Sequence, residues 1–332
     1  MILVLVEPAG SETSPLSLEA LTFARELADP LGVPVHAVCV GPPASLADLA
    51  AHGVAEVHQA DDPRLDRYAA AAWAACVLQA AQGASPAVVM AAASPRGNEI
   101  MAHVAARTGL RMAANVVRAQ AGPGGGLSVH RQVMGGAALE EVRLDGDGGG
   151  NGSGPALFTM AGHAVDAEPA PESTGPQVRT FTPVLAEADL VGQVVRTEPV
   201  AATDSDLATA RVVVGGGRGV GGAEQFGDLL ELVDLLGGAL GVSRVVTSLG
   251  WRPHHEQVGQ TGSRITPEVY IACGISGAIQ HWAGCSSAKT IIAINTDADA
   301  PMVTKAHYAV IGDLHEIVPA INAELRARLA GS

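Results

Sequence analysis

A chain of 332 residues is longer than one hydrophobic core usually spans, which favours two domains. With 48% hydrophobic, 3% aromatic and 16% charged residues, it has the composition of an Ala-, Gly- and Val-rich globular protein, and disorder along its length is excluded. A net charge of −14 argues against nucleic acid or an anionic membrane as the main partner.

The chain opens on Ile2–Val6, an apolar run without the basic flank, length or cleavage site of a signal peptide, and this reads as a first strand. No uncharged apolar run reaches the roughly eighteen residues of a membrane span, so a soluble, cytoplasmic protein is expected. Up to about residue 120, short β-branched runs alternate with helical stretches. Strands are expected at Ile2–Val6, Val35–Val40, Val54–His58 and Ala87–Ala91, and helices at Ser17–Leu27, Leu65–Ala81 and Asn98–Thr108. Such alternation predicts a largely parallel sheet flanked by helices. Leu127–Met134, Ala138–Val142 and Ala156–Met160 follow as hairpin-like strands with no helix between them, broken by the glycine tracts Gly122–Gly126 and Gly148–Gly152. They are expected to extend the same sheet. Residues 163–207, rich in Pro, Glu, Asp and Thr, read as a connector or wrapping arm.

Beyond the arm, Arg211–Val214 predicts a strand, residues 215–222 a loop, and Glu224–Leu236 a helix with Phe226, Leu229, Leu230 and Val233 on one face. Val245–Thr247, Val269–Ala272, Thr290–Ile294 and His307–Ile311 read as strands, with helices at Gly277–Ala283 and Leu314–Leu329. The expected fold class is therefore α/β with two doubly wound domains, the C-terminal one Rossmann-like. The expected division is an N-terminal α/β domain over 1–165, an arm over 166–207 and a second domain over 208–332. Charge follows that division. Beyond residue 206 nine Lys and Arg face eleven Asp and Glu, so twelve of the fourteen net negative charges lie before it. A nearly neutral second domain suits an anionic cofactor.

Gly217-Arg218-Gly219-Val220-Gly221-Gly222 satisfies GxGxxG between a strand and a helix, the context of dinucleotide binding. Among forty glycines the match is weak. No carboxylate follows the next predicted strand, where Ser248-Leu249-Gly250 stands, so a nicotinamide site would lack its ribose ligand. Arg218 either reaches a phosphate or is a surface residue on a tight turn. Ser276-Gly277 is expected to open a helix whose unpaired N–H groups suit a pyrophosphate. On that helix Gly277 and His281 share a face, with a satisfied core histidine as the plainer reading of His281. Thr261, between Gln260 and Gly262, reads as a loop letting backbone approach a ligand or as an ordinary polar turn; Ser243-Arg244 is open in the same way. His254, His255 and His281 lack metal-ligand spacing, and no metal is expected. Cys39, Cys76, Cys273 and Cys285 show no CxxC spacing and read as reduced core thiols. GxSxG, P-loop and paired-carboxylate arrangements are missing, so no catalytic residue is nominated.

Taken together, VVVGGGRGVGG, GVSRVVTSLGW, QVGQTG, YIACGISGAIQHWAG, IIAINTDADAP and YAVIGDLHEIVPA, in this order from residue 212 to 320, resemble the α subunit of electron transfer flavoproteins. The resemblance spans the chain and is strongest from residue 208 onward. It implies an FAD-binding C-terminal domain. Carried over position by position, Arg218 and Ser243 would contact FAD, and Arg244 would lie against the isoalloxazine, where its charge favours a reduced, anionic flavin. Thr261, with Gln257, Val258, Gly259 and Gln260, would sit near the reactive edge at N5. His281 would bond the pyrimidine end. Ser276, Gly277, Ala278, Ile279 and Gln280 would take the pyrophosphate and ribityl region, and Asn295, Asp313 and Leu314 the ADP half.

The same resemblance implies a redox carrier in a heterodimer with a β subunit, which would hold AMP or a second FAD. Electrons would come from flavin dehydrogenases, as in fatty acid β-oxidation or the oxidation of N-methylated amines, and leave to an electron transfer flavoprotein-quinone oxidoreductase. Ser263 and Thr296 stand where Lys is frequent in the family, and His130 to Gly136 replaces a common Arg-Pro strand and aromatic-Gly turn; the flavin residues are intact. The alternatives are an NADH-linked bifurcating relative with two FAD per heterodimer, a nicotinamide-dependent dehydrogenase, and a structural nucleotide-binding module.

Overall fold

The computed structural model describes residues 1–122, 126–134, 138–144, 147–148, 152–196, 207 and 209–330. The chain sorts into two compact units, Met1–Gln132 with Leu139–Glu198, and Pro199–Ser332 with Val133–Ala138. Parts of three segments singled out in the sequence, 123–125, 135–137 and 149–151, and all of 197–206, lie outside the described residues.

In the first unit β1 (Ile2–Leu5), α1 (Pro15–Leu31), β2 (Val35–Val40), α2 (Leu46–Ala51), β3 (Val54–Ala60), α3 (Ala70–Ala84), β4 (Val88–Ala92) and α4 (Pro95–Thr108) alternate. Then come β5 (Met112–Ala121), β6 (Leu127–Val133), β7 (Ala138–Leu144), β8 (Ala156–Met160) and β9 (Gln177–Phe181). The sheet runs β9-β3-β2-β1-β4-β8-β5-β6-β7. Strands send alternate side chains to opposite faces. Ile2 and Val4 therefore join Leu21, Phe23 and Leu27 of α1 on one side, while Leu3 and Leu5 join Trp73 and Val77 of α3 and Ile100 of α4 on the other. Both faces being covered, β1, β4 and β8 are buried throughout.

The first unit corrects the expected strand set at three places. Ala156–Met160 is no hairpin strand: it lies parallel between β4 and β5, with Leu157 beside both Val89 and Met112. Five consecutive buried residues need neighbours on both edges and both faces, which only a central position supplies. Met112–Ala121 is a strand absent from the sequence expectations, because Asn115, Arg118 and Gln120 interrupt its apolar pattern; it pairs antiparallel with β6. Within the proline-rich stretch, Gln177–Phe181 adds a parallel edge strand beside β3.

The second unit holds β10 (Val212–Gly216), α5 (Gly227–Leu236), β11 (Ala239–Val242), α6 (Arg244–Ser248), β12 (Val269–Cys273), α7 (Ile279–Cys285), β13 (Thr290–Asn295), α8 (Pro301–Lys305), β14 (Tyr308–Ile311) and α9 (Leu314–Ala330). Its sheet is wholly parallel in the order β11-β10-β12-β13-β14. This is a doubly wound order, reversing direction between β10 and β12. Val214, Val242, Ile271 and Ile294 pack under α5 and α9 on one face. Val213, Tyr270, Ala272 and Ile291 pack against Cys285 and Met302 on the other.

Val245–Thr247 is helical, and the strand is the less β-prone Ala239–Val242. Gly237 ends α5 in a left-handed turn at φ 58°, so the chain re-enters the sheet at once. Gly241 is needed there because a Cβ would meet Val258 Cγ2 at 2.7 Å. Pairing with β10 overrides local propensity. The helix expected from Gly277 begins at Ile279, and Gly277, at φ 79°, lies before it. Gly277 and His281 therefore do not share a helical face. All four cysteines are free and buried, and burial pushes the Cys39, Cys76, Cys273 and Cys285 thiols up to about 12.

Candidate functional site

A cleft of about 650 Å³ opens in the second unit where the loops leaving the carboxyl ends of β10, β11, β12 and β13 converge. Ligands bind at such a reversal of strand order in open parallel sheets, and this volume is within the usual range for ligand sites.

The glycines of the first loop serve the protein's own packing. Gly217 N donates to the Cys273 carbonyl at 2.9 Å and Gly219 N to the Gly274 carbonyl at 3.1 Å. A Cβ on Gly219 would stand 2.7 Å from Gly274 Cα, and one on Gly217 would collide with the Gly274 carbonyl. Two backbones thus touch across the strand reversal, and the GxGxxG pattern records that contact. Its variable position, Arg218, is exposed at the cleft wall.

The second loop carries Ser243 and Arg244. Val242 ends its strand, Ser243 N donates to the Gly216 carbonyl at 3.0 Å, and Arg244 opens α6 with its side chain exposed. The residues after this strand are thus a serine and an arginine, with no carboxylate for a nicotinamide ribose. Among the described residues neither Arg218 nor Arg244 is paired with an acid. Among those residues Asp297 is also the only carboxylate lining the cleft, so its field favours an anion.

The third wall is the tight loop 257–263. Val258 N bonds the Val242 carbonyl at 2.9 Å, Gly259 N the Ser263 carbonyl at 3.1 Å, and Ser263 N the Gln257 carbonyl at 2.7 Å. Gln257, only 2% exposed, clamps it: Oε1 accepts from Thr247 Oγ1 at 2.6 Å and Nε2 donates to Thr261 Oγ1 at 3.0 Å. This leaves Gln260 and Thr261 exposed at the rim. Just upstream, Arg252 grips buried Glu256 through Nε–Oε2 at 2.7 Å and Nη2–Oε1 at 2.5 Å. Gln260 N also reaches the Gln280 carbonyl at 2.7 Å.

The fourth wall, 274–281, is richest in unused donors. Among the described residues the N–H groups of Ile275, Ser276, Gly277 and Ala278 meet no acceptor, and successive free amides form an anion cradle. Gly277 is required by its left-handed backbone and by Met302, whose amide a Cβ would strike. Asn295 braces the wall, its Nδ2 donating to the Ile275 carbonyl at 3.0 Å.

His281 is 6% exposed. Its Nε2 lies 2.8 Å from Tyr270 Oη, and its Nδ1 has no hydrogen-bond partner among the described residues. Burial lowers its pKa to about 4, against a smaller opposite pull from the Val258 backbone. The ring is neutral at physiological pH.

Fourteen of the seventeen nominated residues therefore line one cleft: Arg218, Ser243, Arg244, Gln257, Val258, Gly259, Gln260, Thr261, Ser276, Gly277, Ala278, Gln280, His281 and Asn295. Three stand outside its lining. The Ile279 side chain is 77% exposed. Leu314 is a core residue beneath Gly274. Asp313 starts α9, its Oδ1 accepting from His315 N at 2.9 Å. Gly274, Ile275, Asp297 and Ala300 also line the cleft and are not among the nominated residues; adjacency to Ser276 and Asn295 is the signal that would find them. In the first unit His36, Glu56 and His58, equally unflagged by the sequence, bring ligand atoms within 4.8 Å of one another. There His36 Nδ1 is 3.2 Å from His58 Nε2, and Arg179 binds Glu56 at 3.0 Å. The guanidinium competes with any cation for that carboxylate.

Comparison with known proteins follows the same division. A model described as the electron transfer flavoprotein FAD-binding domain matches residues 206–286, and one described as the electron transfer flavoprotein domain matches residues 2–186. An electron transfer flavoprotein subunit alpha of Mycobacterium leprae is 38% identical over 330 residues, covering 98% of each chain. One of Mycobacterium tuberculosis is 39% identical over 331 residues, again covering 98% of each. A protein FixB of Clostridium saccharobutylicum is 33% identical over 326 residues, covering 97% of this chain and 95% of its own.

Proposed function

This chain belongs to the electron transfer flavoprotein α-subunit family, and from that premise we propose that the cleft of its second unit is the seat of the family's FAD and that the protein works as an electron carrier rather than a substrate-transforming enzyme. The observation that carries this reading is the convergence on one cleft of two guanidinium groups, four loop amides and one nitrogen of a neutral histidine that have no partner among the described residues. Those donors fit FAD, which brings a pyrophosphate, a ribityl chain and a ring that gains negative charge on reduction.

In this reading the amides from Ile275 to Ala278 hold the pyrophosphate, and Ser276 and Gln280 serve the ribityl region. Asn295 faces the ADP half, and Asp313, Leu314 and Ile279 act through backbone position. Arg244 and His281 stabilise charge developing on the ring, while Gln257 fixes Thr261 near the reactive edge. FAD supplies one-electron and two-electron redox chemistry; the chain's residues bind it, orient it and set how readily it accepts charge. No proton-relaying or nucleophilic arrangement is required of them.

The remaining functional reading is a heterodimer with a β subunit holding AMP or a second FAD. It would be reduced by flavin dehydrogenases and drained by a quinone oxidoreductase, in the cytoplasm, with residues 208–332 as the flavin domain, 1–165 as the N-terminal domain and 166–207 as the arm. Co-purification with the β subunit and cofactor analysis tests it. One FAD and one AMP per heterodimer, with reduction by an acyl-CoA dehydrogenase, is the expected result. Two FAD would make the protein a bifurcating relative, and a colourless protein that reconstitution with FAD leaves unchanged would overturn the reading.

A further inference from the structure

Tyr270 lies on β12, fully buried, its hydroxyl 2.8 Å from His281 Nε2 and the rings tilted by 31°. The neighbouring strand makes room for that hydroxyl. A Cβ on Gly215 would collide with it, so a glycine in the middle of β10 is a vacancy shaped for one oxygen. The other titratable groups acting on Tyr270 are the Cys273 and Cys285 thiols, both protonated and both weak acceptors.

Two proton arrangements satisfy the 2.8 Å contact. If His281 Nε2 carried the proton and donated to the phenol oxygen, the Tyr270 O–H would be left in the core with only the weakly accepting Cys273 and Cys285 thiols acting on it. Nδ1 would then be an unpaired lone pair beside it. If Tyr270 donates to Nε2, the phenol is satisfied and the ring proton sits on Nδ1, leaving one orphan instead of two. Buried donors are almost always paired, so the second arrangement prevails. The orphaned nitrogen is then a donor. The Val258 backbone, also part of the cleft lining, acts on this ring; a flavin in the cleft, whose ring presents carbonyl oxygens and gains negative charge, is the other acceptor such a donor meets.

We propose that Tyr270 is a positioning residue for the flavin: by donating its phenolic proton to His281 Nε2 it holds the imidazole in the Nδ1–H form, so that the cleft-lining histidine has a hydrogen-bond donor, and no lone pair, left for the cofactor. The inference rests on the flavin reading of the cleft for its purpose, though the tautomer itself does not depend on a bound flavin.

The test is ¹H–¹⁵N correlation of the imidazole nitrogens in the full-length protein with its β subunit, ¹⁵N-labelled on histidine, for wild type and Tyr270→Phe, with His281→Gln assigning the signal. Wild type should show a single neutral Nδ1–H tautomer. Tyr270→Phe, which removes one oxygen, should show mixed tautomers or Nε2–H, and its bound flavin should have a lower one-electron potential at unchanged FAD stoichiometry. An Nε2–H tautomer in wild type overturns the proposal whether or not the variant folds. An unchanged tautomer and potential in a folded Tyr270→Phe overturns it equally. If instead neither protein takes up FAD while the tautomer shifts as expected, the flavin reading has failed and the Tyr270–His281 coupling stands.

Discussion

Both units reverse strand order beside their first strand, and they treat that point in opposite ways. In the first unit the loops after β1 and β4 bring Glu7 and Ser94 together, Ser94 Oγ donating to Glu7 Oε1 at 2.5 Å. Ser94 Oγ also accepts from Gly97 N at 2.8 Å, and Glu7 N donates to Ser17 Oγ at 3.0 Å. The polar groups satisfy one another, and burial, its largest influence, raises the Glu7 pKa. In the second unit the equivalent loops after β10 and β12 meet through Gly217, Gly219 and Gly274, whose bare backbones pack while the next amides find no acceptor among the described residues. A strand reversal is thus only a geometric opportunity. Two side chains that satisfy each other close it, and glycines that leave donors unpaired open it.

The strongest way to break this contrast is to add a methyl group where the glycines meet. Gly217→Ala drives a Cβ into the Gly274 carbonyl, and backbone cannot yield cheaply. We expect a loss of about 3 kcal/mol together with loss of FAD retention, measured by urea unfolding and flavin absorbance. A variant of wild-type stability that still binds FAD would show the loops to be adjustable.

His281 gives the next largest effect. Its folded pKa of about 4 lies below the ordinary 6.5, so the unfolded chain takes up the proton first. Stability is fully present above pH 6.5 and is lost as pH falls toward 4, by about 1.4 kcal/mol per pH unit from this group. In flavin-free protein His281→Phe should flatten that slope; parallel pH profiles for the two proteins would refute a buried neutral ring.

Ser94→Ala attacks the closed reversal. It removes an N-cap and the Glu7 partner, and should cost about 2 kcal/mol with FAD content per folded protein unchanged. A drop in flavin content would mean the first unit's reversal matters to the cofactor. Arg244→Ala should leave stability nearly intact but lower the flavin potential, by about 60 mV for each tenfold loss in preference for the anionic form. An unchanged potential in a loaded variant removes Arg244 from the ring. Smallest of all, Ile279→Ala should change stability by under about 0.5 kcal/mol and FAD retention not at all, as titration with FAD would show.

Much of the fold and of the cleft is legible in the residues alone. Short apolar runs mark Val35–Val40 and Ala156–Met160 as strands, and the ordered motifs from residue 212 to 320 point to one cofactor. Local pattern misleads where long-range pairing decides. Val245–Thr247 has better strand residues than Ala239–Val242, yet β10 needs a neighbour directly after the Gly237 turn. Ala156–Met160 is legible as a strand and illegible as a central one, since its partners Val89 and Met112 are distant in sequence. That the Asp313 side chain serves a helix start and the Leu314 side chain the core is likewise not marked in their motif.

By itself the sequence determined the alternation of strands and helices, the uneven charge and the family, because those depend on local pattern and on the order of residues along the chain. Tertiary structure alone decided what the glycines are for and what His281 can offer. Gly217 and Gly219 answer to Gly274, and Gly215 to the Tyr270 hydroxyl; His281 owes its neutral ring to burial and the engagement of its Nε2 to Tyr270. Desolvation and backbone contact arise only when distant segments are brought together, and neither leaves a mark in the neighbouring residues from which a sequence is read.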